Sequence, residues 1–168
     1  SLIIDFPALP TFESSDDDMS IFFDHTDASA RIVGGSQAAA GSHPHMVVLT
    51  TGTMVRSLLC GGSLISQRTI LTAAHCINHV FSWGSLTNSL RATVGTNRWN
   101  SGGTSYSISR NVTHPHYVAS TIKNDIGILV TSSNVALNNN VRTVPITYSF
   151  IGQGVRSRVA GWGRTSVS

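Results

Sequence analysis

The sequence predicts an all-β protein built on an antiparallel, six-stranded β-barrel, and three observations carry that expectation. Charged residues are only 11% of the 168, and glycine, serine, threonine and asparagine take their place, which suits short strands joined by tight turns. Six short segments are rich in β-branched side chains or alternate polar with apolar, while no stretch shows a heptad or a long 3.6-residue stripe. Clusters such as Trp83-Gly84-Ser85 and Asn100-Ser101-Gly102-Gly103 separate them. Six antiparallel strands suffice to close a small barrel, and closure removes exposed edges.

Residues 1–30 stand apart. They hold Asp5, Glu13, Asp16, Asp17, Asp18, Asp24 and Asp27, with no lysine or arginine, and their apolar residues show no sustained period. They read as a loosely held tail. Asp16-Asp17-Asp18 is a possible metal ligand set, but a charge run of this kind reads as a solvated patch. The character changes at Arg31. From Ile32 onward the candidate strands are, in order, 46–51, 57–65, 69–72, 89–94, 104–112 and 125–131. In 104–112, Tyr106, Ile108 and Arg110 alternate with Ser107 and Ser109. Residues 134–147 read as a linker. A new strand is expected at 155–160, ending in Gly161-Trp162-Gly163, as though a second domain begins there.

The second part of the chain holds ten basic residues and one carboxylate, Asp125. The bases are scattered singly, so a solvated cationic surface is expected, not a nucleic-acid site. Asp125 opens the apolar run Ile126-Gly127-Ile128-Leu129-Val130. A charge there costs free energy unless it is paired or hydrogen-bonded, so a functional role is read for it over a plain turn after Asn124. No run approaches the roughly 18 apolar residues that a membrane helix needs. Cys60 and Cys76 are two thiols, poor zinc ligands for want of further partners, or a disulfide. Asn111-Val112-Thr113 is a possible glycosylation acceptor. His43-x-His45 and His114-x-His116 each offer two ligands but lack a third, and no metal or cofactor is expected.

Five motifs occur in order: Arg31-Ile32-Val33-Gly34-Gly35, Cys60-Gly61-Gly62-Ser63-Leu64-Ile65, Leu71-Thr72-Ala73-Ala74-His75-Cys76, Asn124-Asp125-Ile126-Gly127-Ile128-Leu129 and Gly161-Trp162-Gly163. Together, from Arg31 to about Arg164, they resemble the N-terminal part of a chymotrypsin-type serine endopeptidase, similar in tone to insect digestive enzymes. The resemblance implies a double barrel. The first barrel falls at about 32–133, the linker at 134–147 and the start of the second barrel at 148–168. It implies His75 as the acid–base of a Ser-His-Asp triad and Asp125 as the carboxylate that orients it. It implies a Cys60–Cys76 disulfide beside the base. It also implies an acidic propeptide, 1–31, removed by a trypsin-like activating protease that cuts between Arg31 and Ile32. Protein or peptide substrates and a secreted, extracellular setting such as a digestive lumen belong to the same expectation; nucleic acid and membrane do not. None of Ser63, Ser66, Ser82 or Ser85 lies in a Gly-x-Ser-x-Gly-like context, so none is expected to be the nucleophile and the chain alone is expected to be inactive. The competing expectation is a non-catalytic homologue acting as a binding partner. Retention of both His75 and Asp125 favours the enzyme.

Overall fold

The computed structural model describes residues 2–5, 35–82 and 84–163. Twelve elements follow in chain order: strands β1 (Leu2–Asp5), β2 (Ser36–Gln37), β3 (Met46–Thr51), β4 (Ser57–Leu64) and β5 (Thr69–Thr72); helix α1 (Ala74–His79); and strands β6 (Phe81–Ser82), β7 (Ser85–Leu86), β8 (Arg91–Val94), β9 (Thr104–Thr113), β10 (Gly127–Thr131) and β11 (Arg158–Gly161). They fall into two units. One is Ala38–Thr147; the other joins Ser1–Gln37 with Tyr148–Ser168.

The larger unit is a closed antiparallel barrel in the order β10-β5-β4-β3-β8-β9, with β9 returning to β10. All six strands read from the sequence are its staves, so the expected fold class is found. Period-2 alternation fills the interior: Val47, Leu49, Leu64, Ile70, Ala92, Val94 and Leu129 are buried, and Tyr106 and Ile108 pack against them. Gly62 faces this interior. A Cβ there would come within 2.7 Å of the Ile70 Cγ2, so the missing side chain makes room for the isoleucine.

The strand ends differ from the sequence expectation for local reasons. The expected strand 89–94 begins only at Arg91, because Ser89 is held in a turn by bonds from its Oγ to Thr51 Oγ1 (2.9 Å) and Thr87 Oγ1 (3.1 Å). The expected strand 125–131 begins at Gly127. Asn124 takes a left-handed φ of 55°, which lifts Asp125 and Ile126 off the ladder. α1 was not visible as a helix in the sequence, since six residues hold under two turns and show no period.

Residues 134–147 contain no strand, yet they are strapped to the barrel. Val135 and Val141 enter its core, and Val135, Arg142 and Val144 donate backbone N–H bonds to Gln67, Pro44 and Leu64. In the smaller unit, β1 pairs antiparallel with β11 and with β2. Residues 2–5 are therefore laddered, which corrects the reading of the whole of 1–30 as loosely held. β11 starts at Arg158, three residues later than the strand expected at 155–160. Among the described residues, no helix is long and apolar enough to cross a membrane.

Candidate active site

The site is assembled at one end of the barrel, where β5 runs into α1 and the chain enters β10. Gly127 pairs with Thr72 on one side and Thr113 on the other, which brings Asp125 next to the start of α1 across fifty residues of sequence. Gly127 makes this approach close. A Cβ there would lie 2.6 Å from Ile77 Cδ1 and 3.2 Å from the Val112 carbonyl, so a larger residue would require the Ile77 side chain to shift.

His75 is the second residue of α1, and its backbone N–H has no partner inside the helix. Asp125 Oδ1 accepts that N–H at 2.8 Å, and Asp125 Oδ2 lies 2.6 Å from His75 Nδ1. One carboxylate therefore fixes both the backbone and the ring. The His75 side chain is 55% exposed and that of Asp125 20%, so the imidazole is reachable from solvent while the carboxylate sits beneath it. With Nδ1 facing the carboxylate, the favoured tautomer carries its proton on Nδ1 and leaves the Nε2 lone pair available.

The surroundings hold Asp125 in place. Asn124 donates from Nδ2 to the His116 carbonyl (2.8 Å), and His114 donates its backbone N–H to the Ile126 carbonyl (3.0 Å). Tyr117 belongs to the same turn. Burial, and then the negative charge of Asp125, push its pKa above the ordinary value and keep the phenol neutral. Neither Asn124 nor Tyr117 stood out in the sequence as part of the site. Only the Asn-Asp pair, a common turn signal, hinted at the first.

On the other side, Cys60 of β4 and Cys76 of α1 form a disulfide, which ties the residue after His75 to the barrel wall. The Cys76 sulfur lies 3.4 Å from His75 Nε2. Cys60, His75 and Cys76 are also the one grouping of three potential metal ligands among the described residues. Both sulfurs are bonded to each other, so no thiolate remains there to bind an ion. The ring pairs His43/His45 and His114/His116 stand 6.1 and 5.8 Å apart, each without a third ligand side chain among the described residues. No described serine hydroxyl bonds to His75. Asn111 lies within β9, half-buried, on the same face as Leu129 opposite it. Arg31, Ile32 and the Asp16–Asp18 cluster lie outside the described residues.

A closed six-stranded barrel that carries a His–Asp pair at one end and a disulfide beside the histidine defines a class of protein. Residues 32–168 match the family model described as Trypsin. The chain is 35% identical over 136 residues to trypsin delta of Drosophila erecta, covering 81% of the chain and 51% of that protein. It is 37% identical over 137 residues to achelase-1 of Lonomia achelous (80% and 61%) and 34% identical over 136 residues to trypsin alpha-4 of Lucilia cuprina (81% and 50%). The chain belongs to the trypsin family of serine proteases. It spans about half the length of the curated relatives it matches.

Proposed function

We propose that this chain supplies the acid–base histidine and its orienting carboxylate to a secreted serine endopeptidase made as a zymogen. The observation that carries the reading is the double grip of Asp125 on His75, at 2.8 Å to the backbone nitrogen and 2.6 Å to Nδ1. In this reading Nε2 takes the proton from a serine hydroxyl as that oxygen attacks a peptide carbonyl, and returns it to the leaving amine. Asp125 keeps the tautomer and stabilises the imidazolium formed in between. No serine of residues 1–168 is assigned as the nucleophile, so these residues alone are expected to be inactive. Residues 1–31 are assigned as the propeptide, and 32–168 as protease domain in which 148–168 open a second barrel. The disulfide supports an oxidising, extracytoplasmic setting. Protein or peptide substrates follow from the family.

The test uses the full-length precursor. A trypsin-like protease is added, the new N-terminus is sequenced, and hydrolysis of a panel of peptide amides is followed. Activity is expected only after a cut that exposes Ile32, and is expected to vanish in His75→Ala and after treatment with a serine-directed phosphonate. A correctly cut protein that hydrolyses nothing and takes up no phosphonate would place the chain with the non-catalytic homologues. An uncut precursor as active as the cut form would remove the zymogen assignment alone.

A further inference from the structure

Within residues 38–147 the cations are Arg56, Arg68, Arg91, Arg98, Arg110, Lys123 and Arg142, against the single carboxylate of Asp125. They are dispersed in sequence, but the strand register gathers four of them on the outside of the barrel. Arg110 on β9 is opposite Val130 on β10, and Val130 is opposite Thr69, the residue after Arg68. Arg68, Ser109, Arg110 and Val130 line an open cleft of about 450 Å³. Towards the other side, Arg91 on β8 is opposite Ser107, three residues before Arg110. Arg56 stands beside Arg91: burial first, and then the like charge of Arg91, lower its pKa from the ordinary value.

Ala92, Tyr106, Ile108 and Leu129 face the core, so Arg91, Ser107 and Val130 face outward; a register shift between Val130 and Thr131 breaks the alternation of β9 after Ile108 and puts exposed Arg110, opposite Val130, on the outer face as well. With strands about 4.8 Å apart and about 3.3 Å per residue along each, Arg91, Arg110 and Arg68 follow one another at intervals of roughly 10 Å. Arg56 spends four of its five N–H donors on Thr50 and Gly52, and Arg91 Nη1 donates to the Asn88 and Leu90 carbonyls. The other two are open. Arg68 donates from Nε and Nη2 to the Thr131 carbonyl, at 3.1 and 2.8 Å, which fixes its fork and leaves Nη1 unpaired among the described residues. The Arg110 guanidinium makes no hydrogen bond or ion pair among the described residues.

We propose that this outer stripe binds the sulfate half-esters of a linear sulfated polysaccharide, with the Arg68–Arg110 cleft as its strongest subsite. A guanidinium fork matches a tetrahedral oxyanion in two-point geometry and is weakly hydrated, so the match suits an anion held between two arginines. A chain-like anion fits because the cations lie in a row with no carboxylate among them. The side chains between them are Ser107, Ser109 and Val130, with no aromatic ring on which a nucleobase could stack, which disfavours a single-stranded nucleic acid. Asp125 lies five residues from Val130 along the chain, on the order of 15 Å, so an occupied stripe leaves His75 open.

The experiment measures anisotropy of a fluorescein-labelled, heparin-type oligosaccharide titrated with the full chain over a range of salt concentrations. Binding is expected to persist at about 0.15 M salt and to weaken steeply above it. Arg110→Gln removes no internal hydrogen bond or ion pair and should weaken binding by about fivefold or more, and lower the slope of log affinity against log salt by about one. Arg68→Gln should do likewise, with its fold verified by thermal melting because the Thr131 bonds are lost. Arg98→Gln, at the far tip of the β8–β9 hairpin, removes the same charge and should change affinity less than about twofold. Equal losses from Arg98→Gln and Arg110→Gln would reduce the effect to net charge and overturn the site. So would an oligodeoxythymidylate of matched charge that binds as tightly, displacement by equivalent free inorganic sulfate, or no binding at about 0.15 M salt.

Discussion

Asp125 makes two bonds with two different consequences, and a single substitution separates them. In Asp125→Asn, the amide oxygen can still accept the His75 backbone N–H, so α1 keeps its anchor. The amide NH₂, however, now donates towards Nδ1, which forces the ring proton onto Nε2, where a serine proton would have to be received. The activated full-length enzyme should therefore keep its melting temperature within a few degrees and lose kcat by a factor on the order of 10⁴, the magnitude attached to this change in the Ser-His-Asp template. Steady-state kinetics beside a thermal melt checks it. A variant retaining a tenth of the activity would mean that the carboxylate is structural only. At this scale the sequence was informative, because a lone carboxylate and a histidine between an alanine pair and a cysteine are unusual enough to single out. It was silent on what steadies them. Asn124, with its φ of 55° and its bond to the His116 carbonyl, acts through geometry that no local pattern encodes.

The six-residue helix α1 cannot be stable through its own hydrogen bonds, since isolated helices shorter than about 12 residues are marginal. It has no side-chain N-cap; its first turn is held by Asp125 at His75 and by the Cys60–Cys76 bridge at the next residue, and Ala74, Cys76 and Ile77 are buried. The two cysteines are 16 residues apart in sequence, so the bridge restricts the unfolded chain as well as pinning the helix. Cys60→Ala/Cys76→Ala should lower unfolding free energy by about 3 kcal/mol, read from the urea midpoint of the full chain at unchanged slope. A loss under about 1 kcal/mol would show that Asp125 and the buried apolar face hold α1 without it. The strands were legible because alternation survives in a barrel with one wet and one dry face. The ends of β8 and β10 and the short helix were not, because each is set by a contact distant in sequence: Ser89 with Thr51, Asn124 with His116, and His75 with Asp125. The strap at 134–147 carries its burial in two isolated valines, Val135 and Val141, which no periodic pattern marks.

At the scale of the whole molecule, the charge pattern visible in the sequence has a consequence that depends on the fold. Acid unfolding commonly follows protonation of carboxylates near pH 4, but residues 32–168 contain only Asp125. The acid response of the barrel therefore passes to histidine. His45 follows Pro44 at the entry to β3, and its backbone carbonyl accepts from the Leu64 N–H at 2.8 Å. Burial, and then the charge of His43 whose ring centroid is 6.1 Å away, lower the His45 pKa from its ordinary 6.5. The sign follows from linkage. A histidine with a lowered folded pKa binds its proton more readily when unfolded, so unfolding takes up protons and stability rises with pH. Above about pH 6.5 both states are neutral and the contribution is complete; as pH falls below 6.5 towards the lowered folded value it is progressively lost. The melting temperature of the full chain should therefore begin to fall below about pH 6.5, well before carboxylates titrate. His45→Gln, which cannot charge, should flatten that fall while leaving the melting temperature at pH 8 within a few degrees. The measurement is a series of thermal melts from pH 8 to pH 5 for both proteins at fixed ionic strength. Parallel curves for the two, or a wild-type curve flat to pH 5, would show that proton uptake elsewhere governs acid stability.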